Sequence, residues 1–247
     1  MLKVKNICKS FGKRAILNEL SIILEEGKIY SLLGANGSGK TTFFNILTGF
    51  QSTDAGLIYY RGKDITNCIP SKINHLGITR TFQDLRLIKG LSVKENILLS
   101  FKKNRGESFV NAMLPSFFFR KHYNILDEMA VKIARKVMLE DMLENKAGEI
   151  SYGQQKLLTL GCCLANDAEL ILLDEPIAGI NFEYHKLISS ILREYKSKGK
   201  TLFIIEHNID FVSSISDNIF FLSNGRVNEF QSIEHLRENS KVRESFL

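Results

Sequence analysis

Apolar and polar positions alternate at the start of the chain. Leu2 and Val4 stand against Lys3 and Lys5, which predicts a strand over residues 2–7. Phe11-Gly12 starts a turn, and strand character resumes over residues 15–24 up to the break Glu25-Glu26-Gly27. Residues 28–33 (KIYSLL) form a short apolar strand, followed by a helix over residues 40–47 that Gly49 closes. Residues 56–64 read as a hairpin with Arg61-Gly62 at its turn, and residues 78–82 as another strand. Between residues 93 and 143 the pattern turns helical, with Leu126, Met129, Ile133 and Val137 at helical spacing. Alternation then returns: strand 169–173, helix 184–195, strand 201–205, helix 208–215. In the first of these two helices Tyr184, Leu187, Ile188, Ile191, Leu192 and Tyr195 make one apolar stripe, expected to be core. Apolar strands alternating with amphipathic helices predict an α/β fold with a mainly parallel sheet. The helical stretch before residue 165 looks like an insertion, and no internal repeat or low-complexity linker interrupts the pattern.

Composition leaves this picture intact and narrows it. A chain of 247 residues can bury a substantial core without disulfides. Its 33 basic and 27 acidic residues give +6, without a long Lys/Arg run, so a solvated surface plus an anionic ligand accounts for the excess. Cys8, Cys68, Cys162 and Cys163 form no C-x-x-C pair, which argues against a zinc site and a disulfide framework and favours reduced thiols. Lys3, Lys5 and Lys9 interrupt the first apolar residues, unlike a signal peptide. No apolar run approaches the roughly 18–20 residues that cross a bilayer, so any membrane role is expected to be borrowed from partners.

The candidate chemistry begins directly after KIYSLL. Gly34-Ala35-Asn36-Gly37-Ser38-Gly39-Lys40-Thr41 fits G-x-x-x-x-G-K-[ST], with a strand before it and the helix TTFFNIL after it. Glycines let successive backbone N–H groups converge on one anion, and the helix start adds its positive dipole end. Phosphates of a nucleoside triphosphate are therefore expected on Gly34, Asn36, Gly37, Ser38, Gly39, Lys40, Thr41 and Thr42. Lys40 should reach the β- and γ-phosphates and the Thr41 hydroxyl should ligate Mg²⁺. Downstream, the apolar run Leu170-Ile171-Leu172-Leu173 ends in Asp174-Glu175. Alone, such a pair would as readily start a helix. Beside a phosphate loop, Asp174 is placed to hold the Mg²⁺ hydration shell and Glu175 to polarise the attacking water.

Further motifs carry a resemblance. Ser151-Tyr152-Gly153-Gln154-Gln155 opens a helix before the acidic strand, and it resembles the signature motif of ATP-binding cassette (ABC) proteins. Gln83 after Arg80-Thr81-Phe82 is similar to the family's Q-loop glutamine, Ala178-Gly179-Ile180-Asn181 to its D-loop, and His207 to its switch histidine. The likeness covers essentially the whole chain. It implies an ABC-type P-loop NTPase, a single ATPase domain over residues 1–247. Residues 1–83 and 166–247 would form the RecA-like core plus an N-terminal antiparallel β subdomain, and residues 84–165 an inserted α-helical subdomain. It implies hydrolysis by Glu175, His207 and Gln83, with ATP and Mg²⁺ bound and Thr41, Gln83 and Asp174 on the metal. It also implies that Ser151, Gly153 and Gln154 cap the ATP of a second cassette in trans, beside the D-loop Asn181, in a head-to-tail homodimer or heterodimer. Phe11 sits where an aromatic stacks on adenine in these proteins, although the family more often has tyrosine; a packed core aromatic is the alternative.

Within the family, Ile78-Thr79-Arg80-Thr81-Phe82-Gln83, Leu85-Arg86-Leu87 and Leu91-Ser92-Val93-Lys94-Glu95-Asn96-Ile97 are similar to ATPase subunits of branched-chain amino-acid importers. So are SYGQQ and the closing residues Val242-Arg243-Glu244-Ser245-Phe246-Leu247. Ile150 and Ile180 depart conservatively from the pattern. The implied partners are a separate membrane permease, contacted around residues 83–99, and indirectly a solute-binding protein, with no nucleic acid. The implied location is peripheral, on the cytoplasmic face of the inner membrane. Urea or amide importers and lipopolysaccharide-export ATPases share much of the pattern. Soluble ABC proteins acting on ribosomes or nucleic acid form a further class, usually with two cassettes or long insertions. The aromatic and basic stretch 108–123 is either a packed loop or a contact surface.

Overall fold

The computed structural model describes residues 1–83, 85–102 and 120–238, with backbone alone for 120–123 and 238. The stretch 108–119 and the closing residues 242–247, both singled out above, lie outside the described residues. The chain divides into two compact units. The first comprises Met1–Arg80, Ala168–Ala178 and Glu183–Leu247; the second comprises Thr81–Asp167 and Gly179–Phe182.

The first unit holds two sheets. In one, strands β1 (Leu2–Phe11), β2 (Arg14–Leu24), β4 (Ala55–Tyr60) and β5 (Lys63–Asp64) run antiparallel in the order β2-β1-β4-β5. The alternation of β1 is visible as Leu2, Val4 and Ile7 buried and Lys3 and Lys5 exposed. The turn between β4 and β5 has Arg61 and Gly62 both at positive φ, 48° and 77°, as a two-residue hairpin turn requires.

The other sheet has the order β10-β9-β3-β8-β7-β6, from β3 (Ile29–Leu33), β6 (Ile78–Arg80), β7 (Leu170–Asp174), β8 (Thr201–Ile205), β9 (Asn218–Ser223) and β10 (Arg226–Phe230). All neighbours are parallel except the edge pair β9–β10. β3, β7 and β8 are buried at every position, which is why they read as continuous apolar runs rather than alternating ones. Helix α1 (Lys40–Leu47) packs on this sheet through Phe43 and Phe44, whose rings lie 6.3 and 5.0 Å from Phe203 of β8. A short α2 (Pro70–Leu76) precedes β6. The β9–β10 hairpin was not foreseen; its turn places the Gly225 carbonyl 2.9 Å from the Asn18 N–H of β2, joining the two sheets.

The second unit is helical: α3 (Val93–Leu99), α4 (Arg120–Lys136) and α5 (Tyr152–Ala165), with a 3-10 turn at Glu140–Met142. The helical spacing noted over residues 126–137 falls on α4 and the residue after it, with Met129 off the buried face. Leu126, Ala130, Ala134 and Val137 are buried, whereas Met129 is exposed. Positions 126, 130, 134 and 137 follow one another at spacings of four, four and three and share one face, from which 129 is turned away. Gly161 of α5 approaches this region closely, since a Cβ there would lie 3.3 Å from Ile133 and 3.4 Å from Val137.

In the first unit α6 (Phe182–Ser197), apart from its first residue Phe182, carries the predicted stripe, with Ile188, Ile191, Leu192 and Tyr195 buried and Tyr184 and Leu187 half-buried. α7 (Ile209–Ile215) is capped by Asn208, whose side chain accepts the Phe211 N–H at 2.9 Å. The last described helix, α8 (Ile233–Glu238), was not foreseen either.

Candidate functional site

The phosphate loop leaves β3 at Gly34 and enters α1 at Lys40, so it sits at the carboxyl end of a central parallel strand. Backbone shape explains its glycines at two positions. Gly34 has φ 153°, and a Cβ there would lie 2.4 Å from the Leu222 carbonyl oxygen and 2.9 Å from Ser38 Oγ. Gly39 has φ 108°, and its Cβ would lie 2.9 Å from Ile16 and 3.0 Å from Leu17. Gly39 occupies the cap position of α1 and supplies no side-chain cap, so the first-turn N–H groups keep their donor capacity for an anion. Asn36 and Thr41 are exposed and Gly37 is open; Ser38 and Thr42 are half-buried.

Lys40 is buried with its Nζ donating to the carbonyls of Gly34 at 2.8 Å and Ala35 at 3.0 Å. Burial pushes its pKa below the ordinary lysine value, and the charges of Glu175 and Asp174 act in the opposite sense. The ammonium is thus held over the loop by neutral carbonyls, from which a phosphate can draw it. Ser38 Oγ is buried and has no hydrogen-bond partner among the described residues. A buried orphan hydroxyl facing Gly34, where a Cβ would lie 2.9 Å from it, fits a phosphate oxygen. A Thr41 hydroxyl and the Asp174 carboxylate are the hard oxygen donors that Mg²⁺ takes, alongside phosphate and water.

Asp174 ends β7 and Glu175 follows it. The parallel pairing of Asp174 with Ile205 brings the end of β8, and with it Glu206 and His207, beside this pair. His207 Nε2 lies 3.2 Å from Glu175 Oε1. Glu175 adopts φ 50°, left-handed backbone that costs a side-chain-bearing residue about 1–3 kcal/mol. It is held there by its N–H donating to the Ile205 carbonyl at 2.9 Å and by its own carbonyl accepting from Ala178 at 3.3 Å.

Two site residues escaped sequence reasoning. Arg80, at the end of β6, donates from Nη2 to Asp174 Oδ2 at 2.7 Å, with both side chains almost fully buried. The same guanidinium reaches Asn45 Oδ1 at 2.7 Å on α1 and lies over the Phe44 ring. Arg80 therefore ties the acidic strand end to the helix of the phosphate loop. Glu206 is only 3% exposed. Its Oε1 accepts the Ile177 N–H and its Oε2 the His207 N–H, each at 3.0 Å, and burial pushes its pKa up.

Lys40, Asp174, Glu175 and His207 thus gather in the first unit. Phe11 belongs to it as well, on β1; it is 53% exposed with Lys9 Nζ 5.8 Å from its ring, which removes the core alternative. Gln83, Ser151, Gly153, Gln154 and Asn181 belong to the second unit. Gln83 is exposed beyond the end of β6, and the expected strand stops at Arg80 rather than Phe82. Ser151 caps α5 in a reciprocal box: its Oγ accepts the Gln154 N–H at 3.3 Å while Gln154 Oε1 accepts the Ser151 N–H at 2.8 Å. Ser151 and Tyr152 stay exposed, and Gly179 packs against the Tyr152 ring, two residues before the exposed Asn181.

Comparison with known proteins gives this geometry its place. The family model described as ABC transporter matches residues 17–178. A probable branched-chain amino acid transport ATP-binding protein, LivG of Methanocaldococcus jannaschii, is 38% identical, covering 92% of this chain and 88% of its own length. A nucleotide-free ATP-binding cassette from an ABC transporter superposes with a TM-score of 0.84 at 36% identity, over 100% of this chain and 98% of that one. A dimeric ATP-binding cassette in a post-hydrolysis state with ADP and Pi has a TM-score of 0.80 at 26% identity, over 94% of this chain and 98% of that one. Family model, relatives and scaffold agree with the chemistry of the loop: the chain belongs to the ABC transporter family and is one of its ATP-hydrolysing cassettes.

Proposed function

We propose that this cassette energises import of branched-chain amino acids through a separate membrane permease, from the cytoplasmic face of the membrane. The observation that carries the hydrolytic half is the meeting of Lys40, Asp174, Glu175 and His207 at the carboxyl ends of β3, β7 and β8, where open parallel sheets bind ligands. The transport half is supported by the name of the archaeal relative, matched along nearly its whole length. Among the described residues no helix is long and apolar enough to cross a membrane; this reading assigns the channel to a partner chain.

In this reading the N–H groups of residues 34–42 and Lys40 grip the β- and γ-phosphates, and Phe11 stacks on adenine. Glu175 accepts a proton from the attacking water, and His207 holds Glu175 and the γ-phosphate in place. Thr41, Asp174 and Gln83 would hold Mg²⁺, which supplies charge neutralisation to the transferring phosphoryl group. Ser151, Gly153 and Gln154 face the ATP of a second cassette, with Asn181 beside them, so that ATP joins two cassettes and hydrolysis releases them. The exposed helix start at Ser151 and the dimeric relative support this arrangement.

Uptake of radiolabelled leucine in cells carrying Lys40→Ala in place of the wild-type chain tests the proposal. Loss of leucine uptake, with uptake of unrelated solutes unchanged, is expected. Unchanged leucine uptake overturns the substrate assignment, and recovery of the chain with nucleic acid rather than with membranes overturns the transport reading.

A further inference from the structure

Glu206 is an acidic side chain in a place where ionisation is unfavourable. It is nearly inaccessible, and burial above all, with a smaller push from the charge of Glu175, opposes its ionisation, while backbone N–H groups act in the opposite sense. A buried carboxylate is tolerated when hydrogen bonds satisfy its oxygens, and those bonds are unusually placed. One oxygen takes the N–H of Ile177, two residues beyond Glu175; the other takes the N–H of His207 itself, each at 3.0 Å. The backbone N–H of Asn208 also bonds to this carboxylate. One side chain therefore holds the segment after the β7 end and the segment after the β8 end. Those are the segments whose side chains, Glu175 and His207, meet at 3.2 Å. Glu175 sits in left-handed backbone at φ 50°, a conformation that persists only when its surroundings enforce it.

We propose that Glu206 is a positioning residue for ATP hydrolysis, a bidentate backbone clamp that sets Glu175 and His207 in register. The proposal rests on the hydrolytic roles of those two residues given above. A carboxyl group suits this task because both its oxygens carry lone pairs that can accept, whether or not one holds a proton. An amide of the same shape has a nitrogen that cannot accept, so one of the two N–H groups loses its partner. An aspartate keeps both acceptors but is one methylene shorter, too short to span both segments unmoved. Neither change touches the phosphate loop, so nucleotide affinity belongs to a different part of the molecule.

The test is steady-state ATPase kinetics on the full chain with Mg²⁺, together with ADP affinity and thermal unfolding, for Glu206→Gln, Glu206→Asp, His207→Ala, Glu175→Gln and the Glu206→Gln/His207→Ala pair. A displacement of reacting groups on the order of 1 Å lowers kcat about 10²-fold. Glu206→Gln is expected to show a loss of that order with ADP affinity unchanged, and Glu206→Asp a smaller one. The double variant is expected to be no slower than His207→Ala alone, because groups acting as a unit are not additive. Wild-type kcat in Glu206→Gln overturns the proposal, as does a multiplicative loss in the double variant. Loss of ADP affinity in step with kcat, or failure of both Glu206 variants to fold, also overturns it by showing a general structural role. If His207→Ala and Glu175→Gln themselves turn over normally, the hydrolytic reading fails first, and this pattern is distinct from normal turnover in Glu206→Gln alone.

Discussion

His207 Nε2 lies 3.2 Å from Glu175 Oε1, joining side chains that follow the ends of two adjacent parallel strands, β8 and β7. The contact brings to one place a histidine and a glutamate 32 residues apart in sequence. Losing one preorganised group at a transition state costs about 10²–10³ in rate. His207→Ala is expected to lose turnover on that scale while binding ADP as the wild type does, measured by phosphate release and by titration calorimetry.

Gly34→Ala should fail for a different reason. Its Cβ would lie 2.4 Å from the Leu222 carbonyl and 2.9 Å from Ser38 Oγ, in a backbone conformation with φ 153°. Strain of about 1–3 kcal/mol forces the loop to rearrange, and each 1.4 kcal/mol or so lost from binding weakens affinity tenfold. Gly37→Ala, with φ 77° but nothing within 4 Å of its Cβ, carries the backbone strain without the collision. ADP titration is expected to rank wild type, Gly37→Ala and Gly34→Ala in falling order of affinity.

Arg80→Met should leave the buried Asp174 carboxylate without its guanidinium. Breaking a buried pair from one side destabilises by about 3–5 kcal/mol, whereas replacing both partners by apolar residues is often neutral. Arg80→Met is therefore expected to unfold at lower denaturant than wild type, and Arg80→Met/Asp174→Leu to recover much of the loss. Hydrolysis should stay absent in the double variant, because Asp174 is the proposed metal-holding carboxylate.

The pH dependence of stability reports on Glu206. Its folded carboxyl is held above the ordinary glutamate value of 4.5, chiefly by burial. The folded state then keeps a proton that the unfolded chain releases, so this stabilisation is full below 4.5 and is lost as pH rises through the folded value. Denaturant unfolding across this range should show the wild type losing stability relative to Glu206→Gln as pH rises. A constant difference between the two would remove the burial argument.

The legible parts of the site were the local ones. Gly34 to Thr41 is one contiguous motif whose neighbours in sequence are its neighbours in space, and the apolar run into Asp174-Glu175 marks a buried parallel strand ending in charge. The Arg80–Asp174 pair spans 94 residues and leaves no trace in either local pattern. Glu206 was hidden beside the more conspicuous His207. In the fold, Met129 drew attention because methionine ranks as apolar, while the buried face of α4 uses the small residues Ala130 and Ala134, which a search for large apolar side chains passes over. The β9–β10 hairpin did carry a signal, since Asn224-Gly225 with both residues at positive φ is a strong two-residue turn between apolar runs.

The most direct test compares phosphate release by the full wild-type chain and by Glu175→Gln, at ATP and Mg²⁺ concentrations that give both equal nucleotide occupancy. Glu175 as the group that takes the proton from water predicts a drop of about 10²–10³ in the variant with ATP binding intact. Turnover by Glu175→Gln at the wild-type rate would contradict the account.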